Sequence, residues 1–258
     1  STASRQKSTS MVIDSRQGIS ELVGCAGSLD ALQTQALLVV NQGFTVPAFS
    51  NRPAFDLRSV RHPVLFRLMD FDPSRVVPAD IQLGGDFEVI LLTGPNTGGK
   101  TVCLKTVGLI QLMAQAGFPI PAACGSTVGV FSEIFADIGD EQSLEQSLST
   151  FSSHLTKLRD LILRAGPTTL ALLDELGSGT DPAEGAALSR AILESLRGQG
   201  ARVMATTHIG ALVDFCLSEP RARNASVEFD VESLQPTYRF CLGSPGNSNA
   251  LNIAARLG

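Results

Sequence analysis

Gly94-Pro95-Asn96-Thr97-Gly98-Gly99-Lys100-Thr101, followed by Val102, fits the pattern G-x-x-x-x-G-K-[ST]. Its flanks are those the pattern needs. Phe87 to Thr93 reads as a buried strand, and Lys100 to Ala116 reads as a helix. Glycines in such a loop let backbone N–H groups turn inward around phosphate oxygens, and the helix N-terminus adds partial positive charge. Lys100 is then placed to reach the β- and γ-phosphates, and the Thr101 hydroxyl to ligate Mg²⁺. A glycine-rich turn with a surface lysine is the bland alternative, and the strand and helix on either side weigh against it. Residues Gly94 to Val102 are therefore expected to bind a nucleoside triphosphate with Mg²⁺.

Such a cradle needs a carboxylate partner, and the sequence supplies one. Leu170-Ala171-Leu172-Leu173 is an apolar strand that ends in Asp174-Glu175. Asp174 is expected to hold Mg²⁺, directly or through water, and Glu175 to polarise the attacking water. A guanine-reading N-K-x-D segment is missing from the sequence, which turns the expectation from GTP towards ATP. The tandem of acids resembles that of the ABC-type ATPases, in which a loop from a second subunit completes each site. Such a loop belongs at a helix N-terminus, where N–H groups and a hydroxyl can face the partner's γ-phosphate. Ser149-Thr150-Phe151, just ahead of a helix running to Leu163, occupies that kind of position, although a plain N-cap would look the same.

The rest of the 258 residues is consistent with an α/β domain. Hydrophobic residues make up 43% and charged residues 17%, which excludes wholesale disorder. The net charge of −5 argues against a stand-alone DNA-wrapping module. With no tryptophan and Tyr238 as the sole tyrosine, there is little material for stacking single-stranded bases. Five cysteines at irregular spacing form neither a zinc pattern nor a disulfide framework, so a reducing, cytoplasmic setting is expected. No apolar run approaches 18 residues, and the polar opening STASRQKSTS has no apolar core, so no membrane partner is expected.

Residues 1 to about 20 read as mobile, and a helix follows through Leu29, Leu32, Leu37 and Val40, closing at Asn41-Gln42-Gly43. Thr45 to Arg61, with Pro47 and Pro53, reads as a connector. Thr169 to Leu173 and Ala201 to Thr207 read as strands. Asp181-Pro182-Ala183-Glu184 opens a helix, with Asp181 as N-cap and Glu184 closing a capping box. Ser226 to Leu242 reads as a strand pair turning near Gln235-Pro236, and the last dozen residues as helical. Asp137, Asp140 and Glu141 read as a solvated acidic loop, Cys103 as a packing residue, and His62 and His154 as structural.

Taken together, GPNTGGKT at 94–101, STF at 149–151, LLDELGSGTDP at 172–182 and ATTH at 205–208, with Arg61-His62-Pro63 upstream, resemble the ATPase domain of the MutS family. DIGDEQSLEQSLSTFSSH and DELGSGTDPAEGAAL are most similar to the paralogue branch tied to suppression of recombination. The likeness covers about residues 55–258. The resemblance implies a P-loop NTPase fold of the ABC/MutS type, a mixed sheet flanked by helices. Residues 1–54 would be a leader and short helical connector, the tail of a lever. It further implies that Asn96, Gly98, Gly99, Lys100 and Thr101 hold the triphosphate of ATP. Asp174 and Glu175 would serve Mg²⁺ and water, and Ser149 would reach the γ-phosphate of a second copy. The loop Gly177 to Asp181 would lie along the dimer seam, and His208 would sit near the γ-phosphate. Lys100, Glu175 and His208 are thus the expected catalytic set.

There are departures from the family pattern. Mismatch-repair members carry an adenine-stacking aromatic upstream of the cradle, where this chain has Val76-Val77-Pro78-Ala79-Asp80-Ile81. Aliphatic contacts to the base, with weaker adenine selectivity, are expected instead. Ser147 stands where the mismatch-repair wording has glycine nearby, which affects the geometry of the trans loop. The mismatch reader and the Smr nuclease module lie outside this sequence, so the chain resembles the motor of a larger protein. The expected function is ATP hydrolysis by a dimerising motor that controls binding to branched or mismatched DNA through regions outside the chain. The alternative is a nucleotide switch acting on ribosomes or structured RNA. A transporter ATPase fits less well, since the L-S-G-G-Q wording is missing.

Overall fold

Strand β4 (Val89–Thr93) is buried at all of its residues, and the fold is laid out around it. The computed structural model describes residues 15–94, 99–139, 147–230 and 235–244. The leader, the loop residues 95–98, Asp140, Glu141 and the C-terminal segment lie outside the described residues.

The larger sheet has six strands in the order β10-β9-β4-β8-β7-β6. These are β6 (Glu133–Asp137), β7 (Thr169–Leu173), β8 (Arg202–Thr206), β9 (Ala222–Asp230) and β10 (Gln235–Leu242), with β4 near the centre. Five run parallel, and β10 alone pairs antiparallel, with β9, so the sheet is mixed as the sequence predicts. Parallel strands covered on both faces must be apolar at successive residues rather than at alternate ones. Val-Ile-Leu-Leu in β4 and Leu-Ala-Leu-Leu in β7 meet that requirement.

Because side chains alternate across a strand, the two faces build two cores. Ile90, Leu92, Leu170, Leu172 and Met204 face one core, which also holds Leu104, Val107 and Ile110 of helix α3 (Lys100–Gln115). Val89, Leu91, Ala171, Leu173, Val203 and Ala205 face the other. That second core is completed by α4 (Ser147–Arg164), α5 (Pro182–Gly198) and α6 (Ala211–Ser218), through Leu161, Leu193 and Phe215 among others. Each fully buried leucine or isoleucine contributes about 1.5–3 kcal/mol, so the sheet is fixed from both sides.

The expected connector at Thr45 to Arg61 is corrected. It contains β1 (Ala48–Ser50) and β2 (Phe55–Val60), which join β3 (Ala79–Leu83) and β5 (Thr127–Gly129) in a second sheet of order β1-β5-β2-β3. Pro47 and Pro53 precede these strands instead of interrupting them. β2 starts with inward Phe55 and Leu57, then shifts register before Val60 around Ser59, whose φ is +45°. The Asp80 carboxylate accepts the Ser59 N–H at 2.7 Å and secures that irregular turn. Val76 and Ile81, proposed from sequence as base contacts, are core residues, whereas Val77 is exposed.

Short helix α2 (Pro63–Leu68) is capped by His62, whose Nδ1 accepts the Leu65 N–H at 3.3 Å. Partial burial holds the His62 imidazole below its ordinary pKa. Cys103 is buried as expected, and desolvation pushes its thiol up to about 12.

The chain divides into two compact units, Ser1–Phe44 and Thr45–Gly258. In the first, α1 (Arg16–Gln42) begins earlier than the periodicity suggests and ends at Gly43 in the left-handed conformation, φ +67°. No unbroken apolar run in the sequence approaches 18 residues, yet α1 as a whole is long. By length and composition α1 could cross a bilayer, with a mean hydropathy of 1.3 over its most apolar window. Leu22, Val23, Leu32 and Val40 on α1 are exposed.

One polar residue sits against the logic of the core. Gln111 of α3 is fully buried, and among the described residues neither side-chain atom of its amide has a hydrogen-bond partner. Leaving such groups unmade costs about 1–3 kcal/mol. Gln111→Met is therefore expected to raise stability by about 1 kcal/mol or more in chemical denaturation. A lower midpoint would show that the amide has a partner in solution.

Candidate active site

The carboxyl ends of β4, β7 and β8 lie side by side, which is where open parallel sheets place their ligands. From β4 the chain passes to Gly94, with φ +120°, and re-enters at Gly99, with φ +93°. Both values lie in the left-handed region, so glycine is required on either side of the loop. Pro95, Asn96, Thr97 and Gly98 lie outside the described residues. Thr101 and Val102 occupy the first turn of α3.

Lys100 is 3% exposed, and its ammonium donates to the Gly94 carbonyl. Burial lowers its pKa, while the nearby Glu175 and Asp174 carboxylates act in the opposite direction. The sequence-predicted lysine and both acids thus share one electrostatic site. A triphosphate bound here would add negative charge beside this lysine.

A single hydroxyl organises the acidic side of the site. Thr206, the last residue of β8, donates to Asp174 Oδ1 at 2.5 Å and accepts the Glu175 N–H at 2.8 Å. Its carbonyl accepts the Leu176 N–H at 2.8 Å, and the Asp174 N–H donates to the Asp137 carbonyl at 2.9 Å. Thr207 continues the stitching, its N–H donating to Leu92 of β4 at 3.1 Å. Glu175 has φ +49°, an unusual conformation for a residue with a side chain. These flanking bonds hold it there.

Mg²⁺ fits the donor chemistry available. A threonine hydroxyl and one carboxylate are hard oxygen ligands, and Mg²⁺ commonly completes its shell with water and substrate phosphate. Among the described residues no group of three or more His, Cys, Asp or Glu could hold a metal by itself. Thr101 and Asp174 could hold Mg²⁺ together with nucleotide phosphate.

Beyond Glu175 the chain turns through Gly177 and Gly179, both with positive φ. A methyl group at Gly185 of α5 would collide with the Gly177 carbonyl, so this loop lies directly on the helix. Asp181 caps α5 as predicted, accepting from the Ala183 N–H at 2.9 Å. Glu184 does not close the expected box; it accepts from the Thr180 hydroxyl at 3.0 Å. Residues 177–180 and exposed His208 line a cleft of about 430 Å³ that extends to Ala211. Ser149 lies in the first turn of α4, and its side chain is outside the described residues.

Two features escaped the sequence reading. Asp137 is not in a solvated loop: it ends β6, buried, with His154 Nδ1 at 2.6 Å and Lys157 Nζ at 3.3 Å. Tyr238 is the other. β10 shifts register between Pro236 and Phe240, and Tyr238 takes φ +58°. Its ring lies against the cradle, where a Cβ on Gly99 would stand 2.8 Å from its Cδ1. The strand was legible, but the irregularity that turns Tyr238 towards the cradle leaves no mark on residue periodicity.

Comparison with known proteins identifies the family this chain resembles. Residues 90–255 match the family model described as MutS domain V. Endonuclease MutS2 of Pelotomaculum thermopropionicum is 55% identical over 232 residues, covering 90% of this chain and 29% of that protein. Endonuclease MutS2 of Lactobacillus helveticus is 48% identical over 250 residues, covering 97% of this chain and 31% of that protein. Endonuclease MutS2 of Geobacillus kaustophilus is 55% identical over 212 residues, covering 82% and 26% respectively. The chain thus spans under a third of the length of these relatives.

Thr206→Val keeps the shape of the side chain but removes the hydroxyl shared by Asp174 and Glu175. A loss of about 1–3 kcal/mol in denaturant unfolding is expected, with Thr206→Ser close to the parent. Equal stability of the valine and serine variants would mean that the bridge does not hold the two acids.

Proposed function

The chain belongs to the MutS family, matching its domain V over residues 90–255, and on that premise we propose that it hydrolyses ATP in a site shared by two copies. The observation that carries this reading is the convergence of Lys100, from the helix that follows β4, with Asp174 and Glu175, which follow β7, at the carboxyl edge of the sheet on either side of β8. Backbone N–H groups of the loop and the start of α3 would cradle the phosphates. Lys100 would neutralise charge on the β- and γ-phosphates. Bound Mg²⁺ would supply further charge stabilisation, held through Thr101 and Asp174.

Glu175 would orient a water for attack on the γ-phosphorus and draw off its proton as the bond to the β-phosphate bridging oxygen breaks. Its fixed backbone favours this role, because positioning and electrostatics carry most of phosphoryl-transfer catalysis. A hydroxyl-bearing loop facing the cradle across the nucleotide would complete the site. The Ser149 hydroxyl of a second copy would supply it, with Gly177 to Asp181 at the seam and His208 beside it sensing the γ-phosphate. Tyr238 would present an aromatic face to the adenine, in place of the aliphatic contacts expected from sequence.

The relatives' name, Endonuclease MutS2, supports a DNA-directed role for the whole protein. ATP binding would close, and hydrolysis open, a clamp on branched or mismatched DNA formed by regions beyond this chain, and so suppress recombination. α1, with its exposed apolar residues, fits the end of the lever joining motor to clamp. A cytoplasmic location without a membrane partner accords with this role. A ribosome or structured RNA is the alternative partner. Full-length protein mixed with DNA junctions or with ribosomes separates the two, the true partner being the one that stimulates phosphate release.

Glu175→Gln is expected to bind ATP without cleaving it and to accumulate as a dimer, read by light scattering on a sizing column. A monomer at saturating ATP and Mg²⁺ would refute the shared site. Tyr238→Ala is expected to weaken ATP binding by about tenfold, since base stacking on an aromatic ring is worth about 1–3 kcal/mol. Tyr238→Phe should bind as the parent does, and inorganic tripolyphosphate should bind both variants alike. Unchanged ATP affinity of the alanine variant would remove Tyr238 from the base site.

A further inference from the structure

Asp137 has two separate sets of bonds. Its backbone carbonyl accepts the N–H of Asp174, the expected Mg²⁺ ligand, at 2.9 Å. Its carboxylate, 9% exposed, meets His154 at 2.6 Å and Lys157 at 3.3 Å on α4. Three residues apart on a helix, His154 and Lys157 lie on one face, and Leu158 and Leu161 continue that face into the core.

The rest of α4 shows why this contact matters. Apolar burial of the helix among its described side chains begins at Leu158, and Ser152 and Ser153 are exposed. At its far end Arg164 pairs with Glu133 at 2.7 Å, at the start of the same strand, β6. The helix therefore runs back along β6, pinned by Glu133 at one end and Asp137 towards the other. The first turn, with Ser149, extends five residues beyond His154, about 7.5 Å at the rise of an α-helix.

We propose that Asp137, acting through His154 and Lys157, is a positioning residue that fixes the Ser149 end of α4 to the strand end carrying Asp174. This rests on the shared-site reading above. Each chain's metal-binding corner would set the height and angle of the serine it offers to its partner. The buried carboxylate makes the linkage stiff, since without His154 only the more exposed Lys157, at 3.3 Å, would balance a charge held in a poorly solvated place. The linkage runs from α4 to the Asp137 carboxylate and, through the Asp137 carbonyl, to Asp174, so it would govern the partner's turnover and not the chain's own grip on ATP.

Mixing experiments separate this role from a merely structural one. His154→Ala is expected to keep parental ATP affinity while losing about 10- to 100-fold in kcat, the scale of a displaced catalytic group. Asp137→Asn, which preserves shape, should behave likewise and secures the test if the alanine variant folds poorly. Lys100→Ala should be inactive for want of a cradle, yet carry an intact Ser149 helix. Combining it with His154→Ala should restore several-fold activity, because the mixed dimer joins a sound cradle to a sound serine. Ser149→Ala with Lys100→Ala is the control and should recover in the same way.

Recovery by the control pair but not by the His154→Ala pair would overturn the proposal, as the defect would lie within its own site. Parental kcat for His154→Ala, or a loss confined to ATP affinity, would overturn it as well. Failure of the control pair would instead strike the shared-site reading, and the proposal with it.

Discussion

The hydroxyl of Thr206 ties together the parts on which the site depends. It connects β8 to β7 at the point where β7 stops being a strand and becomes a pair of acids. Without it the Asp174 carboxylate would lose a donor and the Glu175 N–H its acceptor. Glu175 could then leave the left-handed backbone conformation that sets the direction of its side chain. Such a conformation costs about 1–3 kcal/mol and persists only where neighbours over-determine it. Here the neighbours are hydrogen bonds to adjacent parallel strands, made rigid by a core on each face.

That rigidity explains where chemistry can occur. Strands buried on both faces have no side chains to spare for solvent along their length. Polar groups gather at the carboxyl ends instead: Thr93, Asp137, Asp174, Thr206 and Thr207 all sit at or just past a strand end. The glycine loops follow from the same crowding. Gly177 presses against Gly185 so closely that neither position accepts a side chain without movement, which brings the loop onto α5 and sets the rim of the His208 cleft. Movement at the rim would therefore be felt at Glu175, two residues before Gly177, and at Asp174 beside it.

The parts of this arrangement differ in how far residues reveal them. β4 and β7 were legible because double burial produces unbroken apolar runs, and β7 falls on the residues expected, Thr169–Leu173. Asp181 was legible because its capping geometry is local. The second sheet was not, because β1 and β5 have three residues each and β2 loses its alternation at Ser59, so no period develops. Lys100, Asp174 and Glu175 were identified by motif, and the fold brings them together. Asp137 was misread for a physical reason: an acid beside Gly139 and Asp140 suggests solvent, and only the distant His154 and Lys157 make its burial tolerable. Tyr238 depends on a register shift, which is a property of two paired strands rather than of one.

In the proposed shared site one chain would supply a cradle, a lysine and two acids, and a second copy the hydroxyl that faces them across the nucleotide. The most direct measurement is ATP turnover per chain over a hundredfold dilution series at saturating ATP and Mg²⁺. A rate per chain that climbs with concentration and then levels off is the result expected of a site assembled from two copies. A rate per chain that stays constant while sizing shows only monomer would contradict it, and would place the whole reaction within a single chain.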